Sequence, residues 1–120
     1  MIYTVTFNPA LDYSLKLDNL EHGITNRSFK EEICFGGKGI NVSYVLSQLK
    51  VENTALGFVA GFTGDYLISQ LEENHIKTDF IKLQNGMTRI NVKLKGKSET
   101  EINAAGPDIS KEKLEELFLK

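Results

Sequence analysis

The sequence predicts an α/β domain built on a partly parallel sheet, with a second, smaller sheet beside it. Three observations carry this expectation. Segments of strand-like composition exchange with segments of helical spacing along most of the 120 residues, which is the pattern of strand–helix–strand units. A glycine-rich stretch, Gly36-Gly37-Lys38-Gly39-Ile40-Asn41-Val42, sits where one such strand gives way to a helix. Residues 87–103 alternate between apolar and polar side chains around a turn, as a hairpin with one covered face does.

Ile2 to Phe7 alternates β-branched and aromatic residues and reads as a strand. Asn8-Pro9 closes it, because proline cannot donate to a central ladder. Tyr13–Leu17 is a short second strand, residues 18–27 a polar connection, and Phe29–Phe35 a third strand that leads into the glycine loop. From Gly39 to Lys50, Val42, Val45, Leu46 and Leu49 recur at helical spacing. Thr54–Ala60 is a strand of the buried type. Gly61-Phe62-Thr63-Gly64 predicts a turn, followed by a helix from about Asp65 to Asn74 with Leu67, Ile68 and Leu71 inward. Asp79–Leu83 is another strand, and Asn85-Gly86 a turn. Ser110 is an N-cap candidate, with Glu112 in the first turn and Leu114, Leu117 and Phe118 as the apolar stripe of a last helix.

The register of the 87–103 hairpin follows from its faces. In its first arm Ile90, Val92 and Leu94 share one side, and Arg89, Asn91, Lys93 and Lys95 the other. A two-residue turn would set Leu94 against Glu99. A three-residue turn, Gly96 to Ser98, pairs Lys95 with Glu99, Lys93 with Glu101, Val92 with Ile102 and Asn91 with Asn103. Opposite charges directly across strands gain roughly 0.2–1 kcal/mol each, so the three-residue turn is expected. The charged cluster reads as a solvated face.

Composition bounds the function. With 41 % apolar residues the chain can bury a core, and a net charge of −2 argues against nucleic acid as the main partner. No stretch reaches the ~20 apolar residues of a membrane span, and the first 25 residues lack a charged-then-apolar leader pattern. The single Cys34 allows no internal disulfide and suits a reducing cytoplasm. It reads as a small buried residue rather than a nucleophile. His22 and His75 lie outside any metal-ligand spacing.

The glycine loop is the strongest chemical signal. Glycines let a backbone approach a ligand closely, and the free N–H groups of a helix start favour an anion. Lys38 adds a positive charge there, and Asn41 a donor and an acceptor one turn later. The loop is not a nucleotide P-loop, since Glu32 stands where its first glycine belongs and Gly39 follows the lysine. It is not a dinucleotide fingerprint, since Val42 replaces the third glycine. A plain strand-to-helix turn fits the loop by itself. Asp12, taken alone, reads equally as a turn or cap aspartate, Asn41 as a helix-start asparagine, and Arg89 as a solvated strand arginine.

Three segments in order change this weighing. Thr6-Phe7-Asn8-Pro9-Ala10-Leu11-Asp12, the Gly36–Val42 loop, and Thr88-Arg89-Ile90-Asn91-Val92 with Glu101-Ile102-Asn103 behind it resemble the N-terminal part of the ribokinase-like sugar kinases, in the phosphofructokinase B branch. Within that branch the chain is most similar to the bacterial 1-phosphofructokinases, then to tagatose-6-phosphate kinases. Tyr44 departs from them, since a basic residue often follows Asn-Val-Ser there.

The resemblance implies a ribokinase-like three-layer domain, present in part, with a small β-sheet lid from strands near 13–17, 29–35 and 87–104. It implies that Asp12 and Asn41 bind sugar hydroxyls. Gly37, Lys38 and Arg89 would hold the phosphate region, Asn103 would be a further sugar contact, and Arg27 would reach the substrate of a partner subunit. It also implies ATP and Mg²⁺ as cofactors, a ketohexose phosphate as substrate, and a homodimer joined through the lids. The family's catalytic base belongs to a Gly-Ala-Gly-Asp motif that these 120 residues lack; the lone Asp108 after Gly106-Pro107 does not fit it. The chain is therefore expected to be the sugar-phosphate-binding portion of a longer enzyme that converts fructose 1-phosphate to fructose 1,6-bisphosphate. A tagatose-6-phosphate kinase, a 6-phosphofructokinase and a non-catalytic binding or dimerisation module are the alternatives.

Overall fold

The structure, a computed structural model, describes all residues from Met1 to Lys120. In chain order it contains β1 (Ile2–Thr6), β2 (Ala10–Lys16), β3 (Lys30–Gly36), α1 (Lys38–Gln48), β4 (Asn53–Ala60), α2 (Gly61–Glu73), β5 (Lys77–Thr78), β6 (Ile81–Leu83), β7 (Arg89–Lys95), β8 (Glu99–Ile102) and α3 (Lys111–Phe118). The expected α/β class is observed.

The first sheet is parallel, in the order β1-β4-β5, with β6 pairing farther along β4. Parallel neighbours need crossovers, and α1 and α2 supply them. Successive side chains of β4 point to opposite faces, so this strand serves two cores. Ala55 and Val59 pack with Ile40 of α1 and with Leu67 and Leu71 of α2. Leu56 and Phe58 pack on the other side with Ile81 and Leu117 of α3. The result is three layers, helices on both faces of a parallel sheet. Leu117 is the only buried residue of α3, and full burial of one leucine contributes about 1.5–3 kcal/mol, so this helix rests chiefly on one anchor. Phe118, expected in the same stripe, is 76 % exposed.

Helix α1 turns a different face to the sheet than its apolar spacing suggests. Ile40 and Ser43 are buried, while Val42, Val45 and Leu49 are exposed. The Ser43 hydroxyl is hydrogen-bonded to the hydroxyl of Thr4 on β1, and this buried polar pair helps fix the rotation of the helix. Helix α2 begins at Gly61, four residues before the expected start. A Cβ on Gly64 would lie 2.9 Å from Val59 and 3.0 Å from the Thr88 hydroxyl, so the glycine permits close helix–strand approach instead of marking a turn. The strand expected over Asp79–Leu83 is shorter, with β6 covering Ile81–Leu83, and a separate two-residue β5 precedes it at Lys77–Thr78.

The second sheet has the order β3-β2-β7-β8. β2 runs antiparallel to β3 and parallel to β7, and β7–β8 is the expected hairpin. Its register matches the three-residue turn, with Lys95 opposite Glu99, Lys93 opposite Glu101 and Val92 opposite Ile102. The ladder stops there, and Asn103 lies beyond it. The polar face carries Asp12, Ser14, Cys34, Arg89, Asn91 and Lys93; the apolar face carries Tyr13, Leu15, Ile33, Ile90, Val92 and Leu94. At the root of the apolar face Leu11 and Phe35 pack into the α1–α2 core. Farther out Ile33 and Ile102 are more than half exposed.

Candidate functional site

The candidate residues collect where the second sheet leaves the first. β1 ends at Thr6, the buried Pro9 turns the chain, and β2 starts at Ala10. Asp12 therefore stands inside a strand, not after a strand end as its sequence suggested. Ala10 lies opposite both Gly36 and Arg89, and Asp12 lies opposite both Cys34 and Asn91. One short strand thus places the glycine loop on one flank and the arginine strand on the other.

The glycine loop opens helix α1. Gly37 is its N-cap, with φ 128°, a left-handed-side value that disfavours side chains. No side chain caps the helix, and no acid stands in its first turn. Lys38 is exposed as its first residue and Asn41 is exposed one turn on. The Asn41 N–H is taken by the Gly37 carbonyl at 2.9 Å, leaving its amide side chain for other partners. Gly36 is buried against the carboxylate: a Cβ there would lie 2.5 Å from Asp12 Oδ2. The absent side chain leaves room for the carboxylate in this position.

Asp12 is held from the opposite strand. Asn91 donates from Nδ2 to Asp12 Oδ1 at 3.2 Å, and Lys93 Nζ stands 3.8 Å from Asp12 Oδ2. The Asp12 side chain is 18 % exposed, so the ion pair is only partly screened. Lys93 also stands 3.8 Å from Glu101. Arg89 donates from Nη1 to the Ala104 carbonyl at 3.4 Å, while its Nε is buried with no partner. A buried guanidinium N–H left open costs free energy and has capacity for an anion's oxygen. Arg89 also lines an open cavity of about 400 Å³ with Met87, Ala104 and Pro107.

Asp12 and Arg89 thus stand on adjacent strands, and Gly37, Lys38 and Asn41 follow where the neighbouring strand β3 runs into α1. Two candidates are not brought there. Arg27 lies exposed in the connection beyond the Lys16–Lys30 pair, four residues along the strand from Asp12, or about 13 Å. Asn103 is exposed and does not face Asn91, as the hairpin pattern had suggested. The Asn91 carbonyl oxygen instead accepts the Ala104 N–H at 3.0 Å, which draws the chain out of the ladder one step early. Sequence reasoning placed Lys93 on a solvated face and overlooked its pairing with Asp12. The signal was present: Lys93 shares its face with Arg89 and Asn91 by simple alternation.

No group of three or more His, Cys, Asp or Glu side chains is arranged to hold a metal ion, and no helix is long and apolar enough to cross a membrane. Of the acidic groups on this sheet, Glu32 on β3 is held below the usual carboxylate range by its hydrogen bond and charge contact with Lys30.

Comparison with known proteins identifies the family. Residues 5–120 match the model of the pfkB family carbohydrate kinases. The chain is 51 % identical over 112 residues to a 1-phosphofructokinase of Bacillus subtilis, covering 93 % of this chain and 37 % of that protein. It is 40 % identical over 120 residues to a D-tagatose-1-phosphate kinase of Bacillus licheniformis, covering all of this chain and 39 % of that protein. A solved Staphylococcus aureus structure with the provisional name phosphofructokinase superposes with a TM-score of 0.92 at 49 % identity, over 99 % of this chain and 39 % of that one. The 120 residues thus span less than two fifths of the length of these relatives. By its family match and its close relatives, the chain belongs to the pfkB family of carbohydrate kinases.

Proposed function

We propose that the full-length protein phosphorylates a ketohexose phosphate with ATP, converting fructose 1-phosphate to fructose 1,6-bisphosphate, and that these 120 residues bind and position the sugar phosphate. One observation carries this reading. A fixed carboxylate, Asp12, and a guanidinium with a buried free N–H, Arg89, stand on one strand pair beside an uncapped helix start bearing Lys38. A carboxylate accepts bonds from sugar hydroxyls, and a guanidinium matches phosphate oxygens. Asn41 on the first turn of α1 would add a further hydroxyl contact. Phosphoryl transfer depends on positioning and on charge stabilisation, and these residues supply the positioning.

ATP brings the phosphoryl group, with Mg²⁺ on its phosphates. The relatives are more than twice as long as these 120 residues, and in this reading both would be bound mainly by the remaining part of such a longer chain. The second sheet acts as a lid in this reading. Arg27, at the far end of that sheet, would serve a second subunit's substrate, and the exposed Asn103 would be a further sugar contact.

The relative named D-tagatose-1-phosphate kinase supports a second reading, in which a tagatose phosphate is preferred. An assay of the full-length protein separates these readings from a non-catalytic module. ADP release should be fastest, as kcat/KM, with fructose 1-phosphate among fructose and tagatose phosphates. Preference for a tagatose phosphate or fructose 6-phosphate would reassign the substrate. No ADP release with any of them would overturn the kinase reading. The isolated 1–120 chain should release none.

A further inference from the structure

Asn91 uses both ends of its amide, and each end meets a different part of the proposed site. Nδ2 donates to Asp12 Oδ1 at 3.2 Å, and Oδ1 accepts the Ala104 N–H at 3.0 Å. The residue is 7 % exposed, so neither bond is easily exchanged for water. The same Ala104 gives its carbonyl to Arg89 Nη1 at 3.4 Å. One peptide segment is therefore gripped from both sides, and the grip reaches the aspartate.

We infer that Asn91 is a positioning residue: it aims the Asp12 carboxylate at the sugar and ties it, through Ala104, to Arg89. This rests on the proposed sugar-phosphate function. The physical argument is one of pre-organisation. A carboxylate free to rotate on a strand loses conformational freedom when it binds a hydroxyl, and a carboxylate already fixed does not. On one flank the missing Cβ of Gly36 leaves the carboxylate room to lie close against the loop. On the other, Asn91 fixes its direction. Because Asn91 holds a single Asp12 oxygen, the carboxylate keeps lone pairs for ligand hydroxyls. Lys93 attracts the same carboxylate at 3.8 Å but over a distance that sets no direction.

The test is a substitution at Asn91 in the full-length protein. Asn91→Asp keeps an acceptor for the Ala104 N–H and loses the donor to Asp12, so it should weaken fructose 1-phosphate binding in calorimetry by about tenfold or more. If Asn91 positions the carboxylate, folded Asn91→Asp should bind weakly even at temperatures well below its melt. If its role is structural alone, the variant should melt lower yet bind fructose 1-phosphate with wild-type affinity below the melt, and the inference is overturned. Should Asn91→Asp fail to fold, Asn91→Ser, uncharged and too short to span to Asp12, is read by the same two measurements. A wild-type protein that binds no ketohexose phosphate would instead remove the functional reading, and this inference with it.

Discussion

The Thr63 hydroxyl donates a 2.7 Å hydrogen bond to the carbonyl of Thr88. This contact ties the first turn of α2 to the residue immediately before Arg89. Thr88 answers with two more bonds to the end of β4: its hydroxyl accepts the Ala60 N–H at 3.0 Å, and its own N–H donates to the Ala60 carbonyl at 2.9 Å. Thr63 and Thr88 are both fully buried. The second sheet therefore leaves the parallel sheet from a fixed point, and Arg89 is the first residue past it.

Thr88→Val removes the hydroxyl and leaves the Ala60 N–H buried without a partner. The expected loss is about 1–3 kcal/mol of stability, the cost of an unpaired buried donor. Thr88→Ser should retain most of it. Urea denaturation of the full-length protein measures both, and equal midpoints for Thr88→Val and wild type would show that the contact contributes nothing.

Gly36→Ala and Gly39→Ala should fail in different ways. The new methyl at 36 would meet the Asp12 carboxylate at 2.5 Å, whereas that at 39 would meet the Thr6 hydroxyl and, at 2.8 Å, the Val5 backbone carbonyl. A side chain can turn aside, but a strand backbone beneath a helix cannot do so cheaply. Gly36→Ala should chiefly weaken sugar-phosphate binding, and Gly39→Ala should chiefly lower stability, by about 1–3 kcal/mol. Calorimetry and thermal melts on the two variants separate these outcomes. Equal effects on both quantities in both variants would contradict the assignment.

Arg89→Ala should weaken sugar-phosphate binding by about 2–4 kcal/mol, the scale for losing a charge-assisted contact in a closed site. ATP affinity should barely change. Steady-state kinetics in the full-length enzyme decide this, and unchanged KM for the sugar together with unchanged kcat would place Arg89 outside the site.

Val92→Asp tests the proposed dimer. The outer apolar face of the second sheet, with Ile33 and Ile102 more than half exposed, is a surface that a two-fold partner could cover. The root of that face is already covered by the chain's own core through Leu11 and Phe35, so only the outer part is open to a second subunit. The substitution should yield monomers with weakened substrate binding. Sedimentation showing a monomeric wild-type, full-length protein at micromolar concentration would sink the idea.

Local chemistry was enough for much of this molecule. Alternation set the faces of the hairpin, and charge pairing across it set the Lys95–Glu99 register. Gly36-Gly37 before a helical run marked the loop that opens α1. These features depend on residues within a few positions of one another, where side-chain period and turn chemistry act directly. Tertiary structure decided what lies far apart in the chain. The parallel pairing of β2 with β7 brings Asn91 to Asp12 across 79 residues, and nothing local in either strand encodes that partner. The rotation of α1 followed a buried Thr4–Ser43 contact rather than its valines. Lys93 changed from a surface charge to a neighbour of Asp12 for the same reason: a polar side chain's partner is set by the strand placed beside it, and that placement is a property of the whole fold.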